Sequence, residues 1–98
     1  MITTKQRSYL RGLAMNLDPL MQVGKDAIKE ESLKQIEEML LARELVKIRV
    51  LNNCSEATKT IANKVANKIG CDIVQIIGRI FVIYKRSTRE DVKHIELN

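Results

Sequence analysis

Leu10, Leu13, Ala14 and Leu17 recur three and four residues apart, the spacing of one helical face. Thr3 followed by Gln6 fits a capping box, in which each side chain satisfies a backbone donor of the first turn. Arg7 and Arg11, four apart, flank this apolar stripe, and Asp18-Pro19 ends the helix because the residue before proline is pushed out of the α region. "PLMQV" at 19–23 reads as a short strand closed by Gly24. From Glu30 to Arg43 the pattern is helical again, with Leu33, Ile36 and Leu40 as the stripe and two acids at the positive end of the dipole. "LVKIRVL" at 45–51 alternates: Val46, Ile48 and Val50 point one way, Lys47 and Arg49 the other.

Asn52-Asn53 marks a turn, with Ser55 as the expected cap of a third helix. Ile61, Ala62, Val65 and Ile69 line that helix, and Gly70 is placed to end it in a left-handed conformation. "DIVQIIG" and "RIFVIYKR" follow as two strands joined tightly at Gly78. The order α-β-α-β-α-β-β predicts an α/β fold, arranged as α+β in two to three layers around a four-stranded mixed sheet. Two helical crossovers imply a largely parallel arrangement. The nearly alternation-free last strands imply cover on both faces, with the third helix opposite the other two. The expected core runs from about residue 4 to 87 within one domain of residues 1–98. The tail, 88–98, has no periodicity and is expected to add a short extended piece or fray.

Composition narrows the class. An apolar share of 45% and a charged share of 30% exclude a disordered or membrane chain, and the N-terminal residues lack the apolar core of a secretory signal. A cytoplasmic protein without a membrane partner is expected. Cys54 and Cys71 have no CxxC spacing, so reduced, partly buried thiols are expected rather than a zinc site. The net charge is +5 and unevenly distributed. Residues 24–49 balance, whereas Lys5, Arg7 and Arg11 near the start and Arg79, Lys85, Arg86 and Arg89 near the end are unopposed. Such an excess favours an anionic partner.

Little in the chain suggests catalysis. His94, the one histidine, lies in the tail and reads as a solvated residue. Glu37 and Glu38 are adjacent on a helix and diverge, and no P-loop, GxGxxG or metal-ligand spacing is present. No catalytic residue, metal or cofactor is assigned, and a binding protein is expected.

"VGKDAI" at 23–28 admits two readings. A glycine between strand and helix can turn several backbone N–H groups toward one point, where Lys25 adds a full charge, which suits a phosphate. It can equally be a turn that uses glycine for geometry alone.

Four stretches taken together carry more: "KQRSYLRGLA" at 5–14, "QVGKDAI" at 22–28, "ARELVKIRVL" at 42–51 and "VQIIGRIFVIYKRS" at 74–87. In this order and spacing they resemble the CRM domain (chloroplast RNA splicing and ribosome maturation), in its single-domain, YhbY-like form. The resemblance implies an RNA-binding module with the element order above and a sheet similar to the C-terminal domain of a translation initiation factor. It also implies association with precursors of the large ribosomal subunit, hence with ribosomal RNA. The family's GxxG loop falls on Gly24, Lys25, Asp26 and Ala27. Two departures stand out. Ala27 replaces the second glycine, and Asp26 sets a carboxylate where a phosphate would approach.

With the resemblance, the grip becomes the favoured reading of the loop, weakened by these two residues. The expected RNA-binding set is Lys5, Arg7, Arg11, Gly24, Lys25, Asp26, Ala27, Arg79, Lys85 and Arg86, converging beside Gly24. Tyr84 reads as core and Tyr9 as reachable, so contacts to RNA shape and backbone should outweigh base stacking. A monomer is expected. The runner-up is an adaptor that binds an acidic ribosomal or assembly protein through the same basic face.

Overall fold

The computed structural model describes residues 1–97; Asn98, the end of the expected tail, lies outside them. The fold is α/β: α1 (Thr4–Ala14), β1 (Met21–Val23), α2 (Glu30–Arg43), β2 (Leu45–Val50), α3 (Thr58–Ile69), β3 (Asp72–Ile77) and β4 (Ile80–Tyr84). The sheet is mixed, in the order β1-β2-β4-β3. β1 and β2 pair in parallel, while β4 lies antiparallel to both β2 and β3. Three strands therefore share a direction, but only one neighbouring pair is parallel, fewer than the two crossovers suggest. The hairpin accounts for this, because its second strand inserts between β2 and β3.

The position of β3, on the side of β2 away from β1, decides the layers. Both crossovers step the same way across the sheet, and crossovers of one hand that step the same way deliver their helices to one face. α2 and α3 thus share a face, where Ile36, Leu40, Ile61 and Val65 pack on Val46, Ile48, Phe81 and Ile83. The expectation of α3 opposite the other helices is corrected: α1 is the helix that stands alone. Its Leu10 and Ala14 cover Leu45, Val74, Val82 and Tyr84 on the other face. β4, at the centre, is buried on both sides, whereas edge strand β3 leaves Ile77 61% exposed.

Local chemistry explains the ends of the elements. The Thr3–Gln6 capping box forms as the spacing implies. After Ala14 the helix tightens into i→i−3 bonds from Met15, Asn16 and Leu17, so it stops before Asp18. This leaves Leu13 and Leu17 partly uncovered rather than in the buried stripe. α3 starts at Thr58 with Ala57 in the cap position and no side-chain cap; Ser55 lies two residues too early. Gly70 ends it with φ 77°, a conformation that costs glycine nothing.

A single residue, Glu44, joins α2 to β2, at φ 66°. Its side chain is fully buried. The carboxylate accepts hydrogen bonds from the Ser87 N–H (2.8 Å), the Ile95 N–H (2.6 Å) and His94 Nδ1 (2.6 Å). The tail, over residues 88–97, therefore folds back onto the molecule. It has no regular element, yet Ile95 and Leu97 lie against the α1-side core, and His94 is half-buried rather than solvated.

Candidate nucleic-acid interface

The loop after β1 folds as a tight turn. The Ala27 N–H donates to the Gly24 carbonyl at 2.9 Å, and Ala27 takes φ 56°. The fourth position of the loop is thus left-handed, where a Cβ is disfavoured by about 1–2 kcal/mol. Gly24 is different. A Cβ built on it would meet Asn53 Oδ1 at 3.5 Å and Leu51 Cδ1 at 3.6 Å, ordinary contacts. Glycine at 24 is not required by local clearance, whereas glycine would relieve position 27.

Two further observations revise the grip. The Ala27 N–H is used inside the turn, and α2 begins only at Glu30, with Glu30 and Glu31 in its first turn. Those acids already complement the helix dipole, so the helix N-terminus adds little to an anion site. Asp26, however, is engaged by Lys29 at 3.3 Å, an exposed pair. Its carboxylate is thereby turned to a neighbour, and Lys25 stands exposed without an acidic partner among the described residues.

The loop does not stand alone. Gly24 abuts Asn53, and Arg49, Asn52, Asn53 and Arg79 line one shallow depression of about 450 Å³. The Val50 N–H donates to the Arg79 carbonyl at 2.6 Å and the Leu51 N–H to the Val23 carbonyl at 2.8 Å. These bonds tie the ends of β1 and β2 to the start of β4. Three loops from distant parts of the chain thus meet at one end of the sheet, which the Gly24–Ala27 turn shares with two arginines and two amides.

Lys85 and Arg86 are elsewhere. They follow β4 at its far end, where Tyr84 pairs with Leu45, roughly 20 Å of strand from Arg79. The expected convergence of every cation beside Gly24 is corrected on this point: an antiparallel strand carries the residues before and after it to opposite ends. Lys85 Nζ donates to the Ile69 carbonyl at the end of α3. Arg86 lines a different, wide depression with Tyr9, Lys93 and His94. Arg7 donates its Nε–H to the Ile73 carbonyl at 3.1 Å, pinning α1 to β3. Arg11 is exposed on the same side of α1, and Lys5 is exposed at its start, near Tyr9 and Glu96.

The sequence and the fold match known proteins. The CRS1 / YhbY (CRM) domain description fits residues 2–85. The chain belongs to the CRM-domain family. Over 97 residues this CRM protein is 42% identical to the "Probable RNA-binding protein YqeI" of Bacillus subtilis, covering 99% of each chain. It is 33% identical over 92 residues to an "RNA-binding protein" of Haemophilus influenzae, covering 94% of this chain and 93% of the other. The solution structure of SAV1595 from Staphylococcus aureus superposes with a TM-score of 0.77 at 40% identity, over 97% of this chain and all of that one.

Two features of this CRM domain escape a linear reading. Arg49 is legible as an outward residue of an alternating strand, but only the sheet order sets it beside Arg79. Asn52 and Asn53 read as turn formers, and their nearness to Gly24 depends on the parallel pairing of β1 with β2. Among the described residues, no helix is long and apolar enough to cross a membrane.

Proposed function

We propose that this CRM-domain protein binds RNA without catalysing a reaction, docking as a cytoplasmic monomer on ribosomal RNA in precursors of the large subunit. The observation that carries the reading is the unopposed Lys25 on the Gly24–Ala27 turn, beside a depression framed by Arg49, Arg79, Asn52 and Asn53. Guanidinium groups and amides held by a rigid sheet end suit phosphate and sugar oxygens, whose recognition needs donors at fixed spacing. Tyr9, 52% exposed, is the accessible aromatic ring among the described residues, so stacking is a minor part of recognition. The names of the relatives support RNA as the ligand class, and the likeness to single-domain YhbY-like proteins supports the ribosomal assignment.

The second group of cations, Arg86, Lys93 and Lys5, extends the reading from one patch to two. Arg79 and Arg86 flank β4 roughly 20 Å apart, so a folded RNA element lying along the strand could be held at both ends. The test is sedimentation of cell lysate with and without ribonuclease. Co-migration with large-subunit precursors that ribonuclease abolishes supports the proposal. Retention of an acidic protein partner after ribonuclease, together with no affinity of the purified protein for structured ribosomal RNA, would replace it with the adaptor reading.

A further inference from the structure

Leu13 and Leu17 of the α1 stripe and Leu20 before β1 are 37%, 38% and 43% exposed. Single exposed leucines are ordinary, but these three line one groove of about 640 Å³, completed by Leu45 and Ile95. The groove lies along the last turn of α1, above the beginning of β2. On the opposite face two helices, α2 and α3, cover the sheet; on this face α1 is accompanied only by the extended tail. The α1 face is therefore the less covered of the two.

The rim identifies what would fill it. Arg43, at the end of α2, and Lys47, on β2, both border the groove, and neither has a carboxylate partner among the described residues. Asp18 borders it from the α1 side, so the positive potential is confined to the Arg43–Lys47 side. The walls are aliphatic and contain no aromatic ring, which favours leucine-like side chains over nucleobases.

We propose that this groove docks an acidic amphipathic helix of a partner protein. Leucine or isoleucine side chains would enter between α1 and β2, and glutamate or aspartate would face Arg43 and Lys47. The surface differs from the basic loops at the sheet end, and the inference does not rest on the RNA reading.

The probe is a synthetic helical peptide of about 15 residues, with leucines at i, i+3, i+4 and i+7 and glutamates on the flanks. Added to the ¹⁵N-labelled protein, it should shift amide signals of residues 13–18, 20 and 45–47 and leave those of 24–27 in place. Leu17→Asp should weaken peptide binding about tenfold or more while leaving RNA affinity unchanged. Lys47→Glu should weaken it too, with recovery when the peptide's glutamates are changed to lysines. Four results would overturn the proposal: no shifts in the groove, Leu17→Asp binding like the parent, structured RNA giving the groove shifts instead, or a dimer that Leu17→Asp dissolves.

Discussion

The carboxylate of Glu44 meets the imidazole Nδ1 of His94 at 2.6 Å, across 50 residues of chain. An ionised carboxylate only accepts hydrogen bonds, so Nδ1 carries the proton in this contact. With the Ser87 and Ile95 N–H groups also directed at it, Glu44 is a buried receptor that fastens the tail to the bend between α2 and β2. Burial pushes its pKa up, but the bond from His94 and the two backbone N–H groups outweigh this and hold it below the ordinary 4.5.

A lowered folded-state pKa fixes the sign of the pH dependence. The stabilisation from ionised Glu44 is fully present above its unfolded value and is lost as pH falls through the folded one. Glu44→Gln keeps one acceptor but aims an N–H₂ group at a donor, leaving buried N–H groups facing each other. We expect about 2 kcal/mol of lost stability at pH 7 by urea denaturation. The gap to the parent should begin to narrow below about pH 4.5, where the unfolded chain's carboxyl takes up a proton, and go on closing as pH falls through the lower folded value. A constant gap from pH 7 to 3 would mean that the charge is not what holds the tail.

Ala27 is strained where a glycine would not be. Ala27→Gly removes the Cβ from φ 56°, relieving about 1 kcal/mol, partly offset by the greater freedom of glycine in the unfolded chain. Thermal unfolding should show a variant as stable as the parent or more so, with RNA binding unchanged or stronger. A clear loss of stability would show that the side chain of Ala27, which packs against the α2 side of the core, outweighs the backbone strain.

Both cysteines are free thiols, and burial pushes the Cys71 pKa up to about 11. At pH 8 only about one Cys71 in a thousand is a thiolate, so iodoacetamide should modify it very slowly, with a rate rising about tenfold per pH unit up to pH 10. Mass spectrometry of the labelled peptides would measure this. Rapid labelling at pH 7 would mean that the end of α3 opens readily.

What could be read from the residues was what depends on near neighbours. The capping box at Thr3, the glycine stop at Gly70 and the in–out alternation of Val46, Lys47, Ile48 and Arg49 each follow from contacts within a turn or along one strand. What could not be read depends on strand order. The face chosen by α3 follows from the side of β2 on which β3 lies, which no local pattern reveals, whereas the separation of Arg79 from Arg86 follows from the length of β4 itself. Glu44 was hidden for another reason: a carboxylate at the end of a helix reads as one more surface acid until the tail that covers it is known.

The separation of the cations makes the candidate interface testable in parts. Lys25, Arg49 and Arg79 share one end of the sheet, while Arg86 lies beyond the other end of β4. With about five phosphate contacts in all, log affinity for structured ribosomal RNA should fall against log salt with a slope of roughly −3 to −5. Lys25→Ala and Arg79→Ala should each weaken binding and each reduce that slope by about one. Combined, these two changes at one end of the sheet should be non-additive, whereas Arg86→Ala, about 20 Å away along the strand, should add its effect independently to either. Filter-binding titrations of the single and double variants across a salt series would decide between one patch and two. A flat salt response would dismiss phosphate contacts altogether. Coupling between Arg86 and Lys25 as strong as that between Arg79 and Lys25 would mean that the two ends of the sheet engage the RNA as one continuous surface.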